Sequence, residues 1–417
     1  MKNRFWGRIA VAAAAVTALS TAAVDNALAA PPPAPAGYNN QVDPARGTGS
    51  DTTFFMMQQI ADLYNGSPGC KVPSAAGVDQ TVCADDQTGA ITTENYDHDE
   101  VQNAAPFGIG SGNGIATLCG TRPSRLPVQF ARSSRDFQTG DCTGTVFHGF
   151  SRDGIAMLIF PTINTATQGS PAAGCKPGEK PVSAGGTGCT GFYSSGGNRR
   201  FTTQNIKDIF NTGTVTDWCQ LNNGAATASP NPLSNPPTYF PTCATPQPIQ
   251  LWKVNTGSGT YRTFFNYIGA DPNGHATLPA TGVLQENDAR PIAAAGADVQ
   301  QRSIFWGSSG RYAAAPFTKA NGLTPSLDGV NPTVPNVANN TYPIRRLLYN
   351  VTKNSNDATP EGMAANAFLK WICQASHATN DETGQSFDVD LKKVFDKFFF
   401  VRLGPSTPNG NCIDDPH

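Results

Sequence analysis

Three short turns rich in glycine, serine and threonine carry the residues of this chain that are best suited to chemistry. They are Gly47–Thr52, Gly110–Gly114 and Gly257–Thr260, and each directly precedes a helical pattern. At a helix N-terminus about four backbone N–H groups lack an acceptor, and the helix dipole adds about half a positive charge. Singly, each turn is also an ordinary helix cap. If the three converge, they predict a site for a small tetrahedral oxyanion.

Arginines next to these turns support the same interpretation. Arg262 lies in the first turn of the helix that follows Gly257–Thr260, where the helix dipole disfavours a cation and a bound anion would reverse that effect. Arg132 and Arg135 flank Ser133-Ser134 at the end of a predicted strand. The alternative is that each arginine is a solvated surface group.

Other motifs with a known chemistry are missing. The sequence contains neither a Gly-x-x-x-x-Gly-Lys-Ser/Thr phosphate loop nor a Gly-x-Ser-x-Gly nucleophile turn. His98 lies among Asp97, Asp99 and Glu100, which is either a metal-binding set or a solvated acidic loop. With 29 Lys and Arg against 31 Asp and Glu, nothing indicates a nucleic-acid partner. We therefore expect a protein without catalytic residues, metal or cofactor.

The N-terminus predicts export. Lys2, Arg4 and Arg8 precede an apolar run, and Ala27-Leu28-Ala29 provides the small residues of a signal-peptidase site. Residues 1–30 are predicted to be a signal peptide cleaved near Ala29 or Ala30, followed by a Pro-rich linker over residues 31–45. No cysteine precedes Cys70, so we expect a soluble periplasmic or extracellular protein without a lipid anchor.

Ten cysteines fit an oxidising compartment. No Cys-x-x-Cys pair is present, which disfavours structural zinc, and the even count predicts disulfides. Spacing cannot determine their connectivity. We predict that consecutive cysteines pair, because each such pair brackets a loop rich in Gly, Pro, Ser or Thr: Cys70–Cys83, Cys119–Cys142, Cys175–Cys189, Cys219–Cys243 and Cys373–Cys412.

Helical and strand patterns alternate along the chain, which predicts an α/β fold. The predicted helices cover Asp51–Asn65, Ile115–Leu118, Thr202–Phe210, Tyr261–Ile268, a segment from Thr359 onward and Asp388–Leu403. The predicted strands lie around Val128 and Phe130 and over Ile155–Phe160, Ile249–Val254 and Arg345–Val351.

The ordered motifs resemble those of one family. Gly47–Thr52, Gly108–Gly114, Phe130–Ser134 and Gly257–Thr260 resemble the PstS type of substrate-binding protein, which serves the phosphate ABC transporter. Weaker similarity over most of the remaining mature chain involves Gly154–Pro161, Thr202–Trp218, Glu286–Asp288 and Tyr342–Ile344. The most specific motif is Gly-Ser-Gly-Thr before an aromatic helix.

The resemblance implies a two-lobed periplasmic-binding-protein fold of type II, with the ligand cleft between the lobes. Lobe I would comprise residues 46–150 and 340–410, and lobe II residues 151–339. The chain would cross between them near Phe150–Asp153 and near Asn339–Pro343. A monomer of this kind delivers inorganic phosphate, or a similar oxyanion, to an ABC permease in the membrane.

The resemblance also implies the ligand contacts. They would fall on Asp51, Thr52, Ser111, Ser134, Ser258, Gly259 and Thr260. Ser134 stands where the family has an aspartate that accepts the phosphate proton, and Val254 stands where it has an arginine. We hypothesise that Asp51 provides the acceptor and that Arg262, Arg132 or Arg135 provides the cation.

Two other functions stay open at this point. A secreted phosphatase-like enzyme on the same fold would need a nucleophile and a base, or a metal pair. An extracellular sensory or adhesion protein would keep the fold and lose the affinity for phosphate. The substitutions at Ser134 and Val254 and the missing lipid-attachment cysteine give the latter some support.

Overall fold

The structure, a computed structural model, describes the chain in several stretches. They are residues 45–65, 71–73, 79–81, 110–122, 127–160, 180–181, 189–190, 200–221, 246–320, 322–356, 359–374, 377, 379–380, 385–404 and 413–416. The predicted signal peptide, all but the last residue of the Pro-rich linker and the acidic residues around His98 lie outside them. No helix within these stretches combines the length and the apolar character needed to cross a membrane.

A mixed sheet organises the fold and confirms the predicted α/β class. Its strands are β1 (Gly47–Gly49), β2 (Phe130–Ser133), β3 (Thr145–Ile159), β4 (Gln250–Leu251), β5 (Ser303–Ser308), β6 (Arg345–Lys353), β7 (Val401–Arg402) and β8 (Ile413–Pro416). The strand order is β1-β2-β6-β3-β5-β4, and β7 and β8 also pair with β3. The pairs β1–β2 and β4–β5 are parallel, and the others are antiparallel.

Ten α-helices accompany the sheet in the described stretches: α1 (Phe54–Asn65), α2 (Ser111–Leu118), α3 (Thr203–Phe210), α4 (Gly259–Ile268), α5 (Arg290–Ala294), α6 (Ala297–Arg302), α7 (Ser309–Ala314), α8 (Val334–Ala338), α9 (Pro360–Cys373) and α10 (Phe387–Phe398). Short 3-10 helices cover Trp218–Leu221, Pro316–Lys319 and Asn354–Asn356. Four small strand pairs complete the secondary structure: Lys71–Pro73 with Asp79–Thr81, Lys180–Pro181 with Cys189–Thr190, Arg200–Phe201 with Ser326–Leu327, and Thr379–Asn380 with Gln385–Ser386.

The strand β3 is longer than the sequence predicts. Ile155–Phe160 is fully buried, as its continuous apolar run indicates, but the strand already begins at Thr145. Its first part pairs with β6 and its last part with β5. Glycine and polar residues break the apolar pattern in that first part, so the sequence carries no clear strand signal there.

The buried apolar side chains form three clusters. The largest packs the last part of β3 with β5, α3 and α4. A second joins α1, α9 and α10, and a third lies between α2, β2 and β6. β3 contributes Phe150 to the second cluster and Ile155 to the largest, so one continuous strand connects two parts of the core. The lobe boundaries at residues 150 and 339 stay a prediction.

Local signals explain where several helices begin and end. Ser258 caps α4 by accepting hydrogen bonds from the N–H groups of Thr260 and Tyr261, and Gly269 ends the helix at a φ of 80°. Thr359 caps α9, as predicted. The last predicted helix, Asp388–Leu403, was too long. Phe399 adopts a left-handed conformation that ends α10 at Phe398, and the chain continues into β7.

The strand predicted over Ile249–Val254 is also shorter than expected. Only Gln250–Leu251 forms a ladder, beside β5. Trp252 and Val254 make single bridges to Leu278 and Leu284. The apolar pattern therefore marks a buried extended segment of which only a part is a strand.

The disulfide Cys119–Cys142 confirms one of the predicted consecutive pairs. Cys219 and Cys373 are also disulfide-bonded, and the cysteines predicted to pair with them lie outside the described stretches. The Cys119–Cys142 bond joins the end of α2 to the loop before β3. It therefore restrains the segment that carries the second glycine-rich turn.

Replacing both Cys119 and Cys142 with alanine is expected to lower the free energy of unfolding by about 3 kcal/mol, because the bond closes a loop with a sequence separation of 23 residues. Urea unfolding of the oxidised protein and the double variant measures this difference. Equal stability would show that packing alone holds the loop.

Candidate functional site

The three glycine-rich turns meet in space. The N–H of Gly112 donates to the carbonyl oxygen of Gly257 over 2.9 Å, which joins the second turn to the third. A Cβ placed on Gly114 would lie 2.4 Å from the Cα of Gly49, so the first and second turns are also in backbone contact. Contacts this close require glycine on at least one side. The convergence on which the oxyanion prediction depends is therefore present.

Serine hydroxyls lie at this junction. The Ser50 hydroxyl donates to Ser134 Oγ over 3.1 Å, and the Oγ atoms of Ser111 and Ser134 are 3.2 Å apart. The Ser134 N–H donates to Ser111 Oγ. A Cβ on Gly259 would lie 2.4 Å from both Ser111 Oγ and Ser134 Oγ. The start of α4 thus packs directly on the two serines.

Arg346, which the sequence analysis did not single out, is the central cation of the site. Its Nη1 donates to Thr260 Oγ1 over 2.8 Å and to the Ser134 carbonyl oxygen over 3.2 Å. Its Nη2 donates to Asp153 Oδ2 over 2.7 Å and to Thr52 Oγ1 over 3.3 Å, and its Nε donates to Asp153 Oδ2 over 3.2 Å. Each of the five guanidinium N–H groups therefore has an acceptor.

These contacts make donors of the two threonine hydroxyls. Because Thr52 Oγ1 and Thr260 Oγ1 each accept from Arg346, the hydroxyl hydrogens must point elsewhere. The two oxygens are 3.4 Å apart and buried. A neighbouring cation also makes each hydroxyl a stronger donor. Two adjacent polarised donors suit an anionic oxygen.

The charge of Arg346 is balanced by Asp153. The two residues are directly paired across β6 and β3, and both side chains are almost fully buried. The second carboxylate oxygen of Asp153 accepts from the Ser309 hydroxyl and the Gly310 N–H at the start of α7. Such hydrogen bonds offset the desolvation that makes an isolated buried ion pair costly.

Two acidic residues, Asp51 and Glu286, lie close to Thr52 and share contacts with the amide of Asn287. Asp51 Oδ2 accepts from Asn287 Nδ2 over 2.7 Å, and the same amide nitrogen lies 3.3 Å from Thr52 Oγ1. Glu286 is fully buried and accepts from the Ser258 hydroxyl, while its Oε2 has no partner among the described residues. Burial, with the charge of Asp51 as a second cause, raises the pKa of Glu286 to about 8.

A second buried cation, Arg311 on α7, lies close enough to Asp51 to interact with its charge. Its guanidinium carbon is 4.5 Å from the centroid of the Phe55 ring. Burial lowers the pKa of Arg311, and the charge of Asp51 opposes that shift. Arg311 therefore adds a second positive charge near Asp51, while Arg346 contacts Thr52.

Ser258 differs from its predicted role. Its hydroxyl oxygen accepts from the N–H groups of Thr260 and Tyr261, and its hydrogen is donated to Glu286. Three hydrogen bonds already satisfy it. In this structure Ser258 acts as the cap of α4 and links that helix to Glu286.

The arginines expected to supply the cation lie elsewhere. Arg132 is fully buried and donates to the carbonyl oxygens of Gly47 and Ser50. It therefore stabilises the backbone of the first turn. Arg135 forms a two-bond ion pair with Asp141. The guanidinium of Arg262 lies 5.1 Å from the centroid of its neighbour Phe265 and is partly exposed.

The structure therefore brings together Asp51, Thr52, Ser111, Ser134, Ser258, Gly259 and Thr260 and leaves Arg135 and Arg262 outside the group. Sequence reasoning missed Arg346, Asp153, Glu286 and Asn287. No local signal marks Arg346, which is the second of two arginines at the start of the strand pattern Arg345–Val351. Glu286–Asp288 shows only weak similarity to the family.

Within the described residues, no group of three or more His, Cys, Asp or Glu side chains is arranged to hold a metal ion.

Comparison with known proteins gives the family. Residues 39–376 match the family model described as a PBP superfamily domain. The chain belongs to the PBP superfamily. No curated protein matches it.

Solved structures are similar to this PBP superfamily member at low sequence identity. One, from Clostridium perfringens, contains bound phosphate and is assigned to phosphate ABC transport as a substrate-binding protein; it is 16% identical over 87% of this chain and 100% of its own, with a TM-score of 0.48. An ABC-type phosphate transport receptor from Vibrio cholerae is 15% identical over 86% and 99%, with a TM-score of 0.45.

Substituting Glu286 with glutamine should change how stability depends on pH. The pKa of Glu286 is raised from its ordinary value of 4.5 to about 8, so the folded protein holds this proton more tightly than the unfolded chain. As the pH rises from 4.5 to about 8, the free energy of unfolding of the wild type should decrease by about 1.4 kcal/mol per pH unit. Glu286→Gln should lose that part of the slope.

Urea unfolding from pH 5 to pH 8.5 measures both slopes. Glu361→Gln, in the first turn of α9, is the matched control and should follow the wild type. A Glu286→Gln profile parallel to that of the wild type would contradict the raised pKa.

Proposed function

We propose that this chain is an exported solute-binding protein that captures inorganic phosphate, or a similar tetrahedral oxyanion, for delivery to an ABC permease. The single observation that carries the proposal is that the three helix-start turns contact one another, with the hydroxyls of Thr52 and Thr260 at this junction bound to Arg346. The order of the glycine-rich motifs, which resembles the PstS type, supports phosphate as the ligand and a permease as the partner.

In the proposed site, Arg346 supplies charge and the hydroxyls of Thr52 and Thr260 donate hydrogen bonds to the anion. Arg346 provides positive charge and directs the hydroxyl hydrogens of Thr52 and Thr260 away from itself, toward the bound anion. The N-termini of α1, α2 and α4 add the positive ends of three helix dipoles. In this proposal the anion replaces the direct contact between the threonine oxygens.

Asp51 gives the site a means to distinguish phosphate from sulfate. At neutral pH phosphate carries a proton that a carboxylate can accept, whereas sulfate carries none. Asp51 lies directly before Thr52 and already accepts one hydrogen bond from Asn287. The negative charge of Asp51 would repel an anion without a proton, so the same residue favours the protonated ligand.

Closure of two lobes would assemble this site. Asp153 and Arg346 lie on β3 and β6, beside the predicted crossings at Phe150–Asp153 and Asn339–Pro343. We propose that the pair stays intact during opening, while α4 separates from Ser111 and Ser134. The ligand affinity would then come from the difference between closed and open states.

One observation favours a second function. The hydroxyls of Ser50, Ser111 and Ser134 hydrogen-bond to each other. These bonds are also expected in an extracellular sensory or adhesion protein that has lost phosphate binding. In such a protein the serine hydroxyls would only stabilise the fold. Binding measurements distinguish this protein from a phosphate carrier.

The protein is unfolded, dialysed to remove bound ligand and refolded. In calorimetry at pH 7, in a buffer that contains no other oxyanion, it should then bind phosphate. Thr260→Val, which leaves the Arg346–Asp153 pair in place, should weaken binding by about tenfold, the loss of one hydrogen bond to a charged ligand. Arg346→Lys should weaken it more, because the single nitrogen of lysine has three N–H groups and cannot replace the five hydrogen bonds that the three nitrogens of Arg346 donate.

Arg262→Gln is the matched control, because Arg262 lies outside the site formed by Thr52, Thr260 and Arg346. Its affinity for phosphate should be within about twofold of that of the wild type, since the substitution removes no hydrogen bond of the site. Absence of binding by the folded wild type to phosphate, sulfate and arsenate would contradict the proposal and favour the locked junction.

Asp51→Asn is expected to reduce the preference for phosphate over sulfate by about tenfold or more, since a neutral amide neither repels sulfate nor accepts the phosphate proton as strongly. Calorimetry with both anions on the wild type and the variant gives the ratio. An unchanged ratio would exclude the acceptor role of Asp51, even if phosphate still binds.

A further inference from the structure

A pocket of about 410 Å³ lies apart from the oxyanion site. Its wall is formed by Ala156 on β3, residues of α7 including Tyr312, the segment Pro332–Pro335 at the start of α8, Lys319 and Phe399. The volume lies in the usual range for small-molecule sites, roughly 300–1,000 Å³. Apolar side chains make up most of this wall.

The polar residues of the wall, with one exception, are engaged or uncharged. Ser309 donates to Asp153, and the Tyr312 hydroxyl donates to the carbonyl oxygens of Glu286 and Trp306. The remaining hydroxyls of the wall belong to threonines. Lys319 is therefore the single charged group among the residues that line the pocket.

Lys319 has no counterion in the described part of the chain. Its Nζ makes no hydrogen bond or ion pair there, and burial lowers the pKa of its amine. A half-buried ammonium beside apolar groups is poorly solvated, so an anionic partner would stabilise it. The cavity thus combines one unpaired cation with an apolar interior.

Phe399 adds an apolar surface at this place. Phe399 is 46% exposed. It directly follows α10 and adopts a left-handed conformation with a φ of 57°. Its ring lines the concave surface of the pocket. A ligand in the pocket would cover it.

We propose that this pocket binds a small amphipathic carboxylate, with the carboxylate paired to Lys319 and the apolar part enclosed by Tyr312, Phe399 and the Pro332–Pro335 segment. Straight-chain fatty acids of six to ten carbons and ring-bearing monocarboxylates share this chemistry. The proposal concerns a different cavity from the oxyanion site and does not depend on the proposed function.

Calorimetry with hexanoate, octanoate and decanoate in phosphate-free buffer tests the proposal. We expect one site per chain, with the Kd decreasing by about tenfold for each added pair of methylenes until the pocket is full. Decanol, with the same chain and no charge, should bind at least tenfold more weakly than decanoate, because it forms no ion pair.

Two variants identify the site. Lys319→Met should remove the preference for decanoate over decanol, whereas Lys207→Met, on α3 away from the pocket, should keep it. Val334→Trp should fill the pocket and abolish binding of both probes. The thermal unfolding of each variant is measured in parallel to confirm that it is folded.

Three results would overturn the proposal. The first is no saturable binding of any probe by the wild type at millimolar concentration. The second is equal decanoate binding by the wild type and by folded Lys319→Met. The third is concentration-dependent dimerisation that Val334→Trp abolishes, which would assign the pocket to a second copy of the chain.

Discussion

The burial of the Arg346 guanidinium is the constraint on which the rest of the site depends. An unpaired buried N–H costs about 1–3 kcal/mol, so all five N–H groups need acceptors. They are supplied by Asp153, Ser134, Thr52 and Thr260. These residues come from four separate parts of the chain. Satisfying one side chain therefore fixes the relative positions of the first turn, the end of β2, the start of α4 and the middle of β3.

Backbone contacts provide the second constraint. A guanidinium reaches only a few ångströms, so the turns that carry its acceptors must approach each other closely. Gly49 and Gly114 meet without room for a Cβ, and Gly259 lies against the hydroxyls of Ser111 and Ser134. Glycine at these positions is required by the distance between chain segments as well as by any ligand. The glycine-rich motifs thus have a structural cause that is consistent with binding and does not require it.

This double cause explains how much could be predicted from the sequence. The turns, the cap at Ser258, the helix end at Gly269 and the fold class follow from local periodicity and capping chemistry. The cation could not be predicted in this way, because nothing local distinguishes Arg346 from Arg262. Their difference arises from strand pairing: Arg346 faces Asp153 across β6 and β3, a contact separated by 193 residues in the chain. Long-range pairings of this kind leave no mark in a local pattern.

The substitution at Val254 is understood in the same terms. Val254 is fully buried in the largest apolar cluster, and Asn273 holds its backbone N–H and carbonyl. An arginine there would have to leave that cluster to reach the hydroxyls. Arg346 reaches them from β6, one of the central strands, where Asp153 on β3 provides a counterion. With its cation on β6, the site has its charge on a central strand of the sheet, paired with β3, which contributes to two of the apolar clusters. A displacement of either strand would then disturb the hydroxyl donors directly, which couples the geometry of the site to the conformation of the whole molecule.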